Sequence, residues 1–104
     1  MAMLDYETAL KAVRAGVAEI NDSRAPDAQV SLDEDATLFG EDSPLDSLSL
    51  VQVVMAAEGY LSEMAGIDLV LASEAAMSRK RSPYRSLRNL AEYAVEMSEA
   101  EVTQ

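Results

Sequence analysis

The stretch GEDSPLDSLSLVQVVMAAE, residues Gly40 to Glu58, decides the reading of this chain. A loop rich in turn-formers gives way there to a helix, and Ser47 stands at the junction between Asp46 and Leu48. From Ser47 to Met64 the residues Leu50, Val53, Val54, Ala57, Leu61 and Met64, with Tyr60 at the margin, fall three and four apart and predict a helix with one broad core face. A second, narrower apolar strip, Leu48, Val51 and Met55, lies on the other side. One buried face suffices for a surface helix, so this second strip is a candidate contact patch, unless the preceding loop folds over it.

Outward from this helix the pattern stays helical. Tyr6, Ala9, Leu10, Val13, Val17 and Ile20 make one stripe, with Lys11, Arg14 and Glu19 off it, and predict a first helix over 4–21. The run NDSRAPD ends it. Residues 22–46 then form a long crossing connection, pinned by Val30, Leu32, Leu38, Phe39 and Leu45. Gly66 closes the central helix. Ile67, Leu69 and Leu71 alternate as an extended segment would, and a short helix is expected at residues 73–78. Ser86 caps a last helix over 86–98, with Leu87, Leu90, Ala91, Ala94 and Met97 as its stripe, and Pro83 keeps it from starting earlier. The tail beyond Ser98 is expected to fray. With no strand pattern and no repeat, the prediction is one all-α domain over 1–104, with three main helices, one short one and a long first loop.

The 104 residues set the scale: a domain of this size buries roughly 60–65% of its unfolded surface. The chain has no Cys, so neither disulfides nor zinc-thiolate sites arise. No run nears the ~20 apolar residues of a membrane span, and no signal-like segment opens the chain, which points to the cytoplasm. The net charge of −11, from 19 acids and 8 bases, repels nucleic acid and anionic membrane and favours basic surfaces. The connection alone holds Asp22, Asp27, Asp33, Glu34, Asp35, Glu41, Asp42 and Asp46 against one base, Arg24. It is no calcium loop: counted from Asp33, the position needing Gly is Leu38 and the one needing Glu is Pro44. His is absent, which removes Ser-His machinery and the commonest metal ligand. There is no Lys near Ser47 in sequence either, so a small hydrolase using Ser47 fails; no catalytic residue and no metal site are predicted.

The segment LFGEDSPLDSLSLVQVVMAAEGYL resembles the carrier signature of the acyl carrier protein family, whose core is Asp-Ser-Leu at the start of the second of four helices. The likeness covers nearly the whole chain, down to a final helix, SLRNLAEYAVEM. It implies an acyl-carrier-like four-helix bundle that is not an enzyme. It also implies covalent 4′-phosphopantetheine on Ser47, flanked by Asp46 and Leu48, with acyl or aminoacyl groups held on it as thioesters. Implied partners are a phosphopantetheinyl transferase and acyl-activating or acyl-transferring enzymes, met by Leu48, Val51, Met55 and Glu58 of a monomer. The residues agree: Asp46 is a good N-cap, and a phosphodiester at the positive end of a helix gains roughly 0.3–1 kcal/mol. No internal base is needed when a transferase activates the hydroxyl, so Ser47 is acted upon.

Departures from the family are also plain. Acids common in it are replaced by Ser49, Gln52 and Gly59, and only Glu58 conforms. The irregular region ends in a basic run, Arg79, Lys80, Arg81, Arg85 and Arg88, which is either solvated or pairs with acids of the loop or of a partner. Ala56, Ala57 and Ala65 leave room for a sheltering groove, or simply for close helix packing. The competing reading is an acidic helical adaptor that binds a basic partner without any cofactor.

Overall fold

The computed structural model describes residues 4–38, 45–71 and 84–102, apart from the side chains of residues 47 and 100–102. Three α-helices are present among them: α1, Tyr6–Asn21; α2, Ser47–Ala65; and α3, Leu87–Val102. A 3-10 turn spans Pro26–Ala28, and the described residues contain no strand, only an isolated bridge between Thr37 and Ser86. The short helix expected at 73–78, Phe39, and the bases Arg79, Lys80 and Arg81 lie outside the described residues.

Each helix begins where a short polar side chain takes up an orphan amide. Asp5 Oδ1 accepts from the Thr8 N–H at 2.8 Å, Asp46 Oδ1 from Ser49 N–H at 2.8 Å, and Ser86 Oγ from Asn89 N–H at 3.1 Å. Helix α2 stops at Gly66, whose φ of 65° is a left-handed conformation that a Cβ disfavours. Helix α3 does not fray at Ser98 as expected but continues to Val102. Ser98 is buried and its hydroxyl donates to the Val95 carbonyl, so this polar residue is satisfied inside the helix rather than ending it.

Helix α1 is the centre of the packing, lying against both α2 and α3. Its Ala9, Leu10, Val13 and Val17 join Leu50, Val53, Val54, Ala57 and Leu61 of α2 and Leu87, Leu90, Ala91 and Ala94 of α3 in one core. At Gly16 the two backbones nearly touch: a Cβ there would stand 3.0 Å from the Ala57 nitrogen and 3.1 Å from the Val53 oxygen. Two expected anchors fall outside this core. Met64, at the edge of the α2 stripe, is 49% exposed, and Leu32 is 43% exposed.

The connection after α1 first folds back on it. The Asn21 side-chain amide grips Val30 twice, donating to its carbonyl and accepting its N–H, both at 2.8 Å. Residues 31–38 then run as a strap to the start of α3, where Leu38 N–H donates to the Arg85 carbonyl and Arg88 N–H to the Glu34 carbonyl. Buried Leu38 fastens the strap beneath. After Gly66 the alternation read in the sequence holds: Leu69 and Leu71 are buried and Ile67 half-buried, while Asp68 and Val70 face outward. Both backbone groups of Leu71 are taken by side chains, its N–H by Glu58 and its carbonyl by the Tyr84 hydroxyl. Tyr84 in turn meets Tyr93 edge to face, with centroids 6.4 Å apart.

Candidate functional site

Asp46, residue 47 and Leu48 form the first turn of a 19-residue helix. Residue 47 is the first helical position, directly after the cap. Its neighbours on both sides, Asp46 and Leu48, are exposed. The Asp46 carboxylate is held below its ordinary pKa, first by the hydrogen bonds it accepts from Ser49 and then by the nearby charge of Arg24. It stays anionic at neutral pH, with its Oδ1 engaged by the Ser49 N–H of the cap.

Arg24 is the unanticipated member of this group. Its Nε donates to the Ala28 carbonyl at 2.8 Å, and its Nη1 to Ser49 Oγ at 3.3 Å. The 3-10 turn Pro26–Ala28 thus presents a half-buried guanidinium to the opening turn of α2. The sequence marks it only by its isolation, as the one base between residues 22 and 46. Ser49 Oγ thus accepts a hydrogen bond from a cation.

Leu48 and Met55 are 69% and 58% exposed, with Val51 half-buried between them. The second apolar strip is therefore real, and no described part of the loop covers Leu48 or Met55. Glu58 lies on the same side but is not a simple rim charge: it is half-buried and accepts the Leu71 N–H. Its carboxylate anchors the segment that leaves α2. Gln52 and Gly59 are exposed.

Ala57 is buried against the core, while Ala56 and Ala65 are half-buried. The groove expected between α2 and the irregular region 65–86 falls partly outside the described residues, since 72–83 are not among them. Two open hollows occur elsewhere. One of about 570 Å³ lies between α1 and the strap, lined by Tyr6, Leu10, Arg14 and Glu34 among others. The other, about 480 Å³, lies where Glu19 approaches Ala56, Gly59, Tyr60 and Glu63. Neither includes Asp46 or Leu48.

Of the basic run, Arg85 is exposed, and Arg88 pairs with the strap, at 2.9 Å from Glu34 Oε1 and 2.8 Å from Asp35 Oδ1. Tyr6 donates to the other oxygen of Glu34 at 3.0 Å. Among the described residues no three acids gather as a metal site, and no helix is long and apolar enough to cross a membrane. Set against protein-family models, curated proteins and solved structures, the chain matches none of them.

Proposed function

We propose that this chain is a free-standing carrier of the acyl-carrier type, with 4′-phosphopantetheine attached through a phosphodiester to Ser47. The group, when bound, supplies a thiol that holds acyl or aminoacyl cargo as a thioester. The chain's own residues attach, orient and present it. The observation that carries the reading is the opening turn of α2, where Asp46 caps the helix and sets residue 47 at its exposed, positive end.

The residues present fit such a group. A phosphodiester on residue 47 would sit at the partial positive charge of the first-turn amides, with the guanidinium of Arg24 on the same turn at Ser49, and the flanking residues Asp46 and Leu48 are exposed. A transferase needs to reach the hydroxyl, and the exposed Leu48 and Met55 beside it offer an apolar centre for docking. The all-helical arrangement around α1, with a long connection ahead of α2, supports an acyl-carrier-like bundle. No general base for Ser47 is required, since the modifying enzyme activates the hydroxyl.

The test is intact mass after incubation with coenzyme A and a broad-specificity phosphopantetheinyl transferase. The wild type gains one phosphopantetheine and Ser47→Ala gains none. A wild type that stays unmodified with several such transferases contradicts the carrier and favours the acidic adaptor.

A further inference from the structure

We infer that Arg24 is the counter-charge for a phosphodiester on Ser47 and positions the arm at the head of α2. This rests on the carrier reading. Loading would place a permanent anion next to the Asp46 carboxylate, which the cap already keeps ionised. Two adjacent anions repel, and the helix end alone carries only about half a positive charge to oppose them. Against that, the connection 22–46 contributes eight acids but a single base, and that base is the one brought to this turn.

The Arg24 guanidinium is held from behind by the Ala28 carbonyl and touches Ser49 Oγ, two residues beyond the attachment point. A planar guanidinium suits phosphate oxygens better than an ammonium does, and one already fixed loses little freedom on meeting the ligand. The inference needs no vacant donor on Arg24, because its charge acts on the phosphodiester from where it stands. Arg24 is thus a positioning residue that makes loading compatible with the Asp46 cap.

The experiment compares the unfolding midpoint of unloaded and loaded protein for the wild type, Arg24→Gln and Arg24→Lys, at low and high salt. A purely structural Arg24 lowers both forms of Arg24→Gln equally. The counter-charge role lowers the loaded form further, by about 2–4 °C at low salt. Lys restores most of the difference, and high salt shrinks it. An equal loading shift in wild type and Arg24→Gln overturns the role of Arg24 while leaving the carrier intact. A wild type that cannot be loaded on Ser47 overturns both. Should Arg24→Gln fail to fold, Arg24→Met, which keeps the apolar stem but not the charge, takes its place: a phosphorus NMR resonance of the loaded variant displaced from that of loaded wild type at low salt supports the counter-charge, and superimposable signals refute it.

Discussion

Arg88 Nε stands 2.8 Å from Asp35 Oδ1 across 53 residues of chain, and the same guanidinium reaches Glu34. This clasp ties the strap over residues 31–38 to the first turn of α3, alongside two backbone hydrogen bonds. Both partners are substantially exposed, so the ion pair adds modestly to what the backbone already holds.

Arg88→Gln is expected to lower the unfolding midpoint at neutral pH and low salt. The Asp35 pKa is lowered, chiefly by its hydrogen bond from Arg88. A carboxyl with a depressed folded pKa contributes stability above its unfolded pKa and loses it as pH falls through the folded value. The difference between wild type and Arg88→Gln therefore narrows as pH falls below the ordinary aspartate value of about 3.9 and closes once Asp35 is protonated in the folded state as well. Thermal unfolding across that range checks it; a constant difference would sink the assignment.

Asp5 and Asp46 follow the same sign, each held below its ordinary value first by the hydrogen bonds of its cap, to Thr8 and Ser49. With Asp35 they predict that the wild-type midpoint drops as pH falls below roughly 4, with Asp46→Asn flattening part of that drop. The check is a pH series of melts on the two proteins.

At Gly16 the α1–α2 contact leaves no space for a side chain, because the obstructing atoms are backbone. Gly16→Val should destabilise by about 1–3 kcal/mol in denaturant unfolding despite valine's better helix propensity. Ser86→Ala should cost about 1 kcal/mol through loss of the α3 cap. A Gly16→Val protein as stable as wild type would mean the helices do not cross there.

The outcome for the fold shows which signals are local. Asp46, Ser86 and Gly66 are readable as helix ends because a cap uses a side chain or a φ within four residues, and the alternation at Ile67, Leu69 and Leu71 is likewise short-range. The Gly16 crossing, the Arg24–Ser49 contact and the Arg88 clasp join residues far apart, and neither periodicity nor composition selects among eight bases and nineteen acids. Glu58 misleads for the same reason: helical spacing puts it beside Val51 and Met55, yet a returning backbone amide claims it. Met64 sits on the stripe but beyond the neighbours that bury it.

Leu48 and Met55 make the patch testable without disturbing the fold. Leu48→Ser and Met55→Ser should move stability by no more than about 0.5 kcal/mol, as exposed positions do. Each should lower the transferase kcat/KM by about five- to tenfold, the effect of losing a contact worth about 1 kcal/mol. Unchanged kinetics in both would place docking on another face.

The most direct measurement is the mass of the tryptic fragment containing Ser47 in protein purified from its own cells while its pathway is active. The account predicts that fragment to carry phosphopantetheine, with or without cargo on the thiol, and to release it when the phosphodiester is cleaved. A bare Ser47 throughout the population would contradict it.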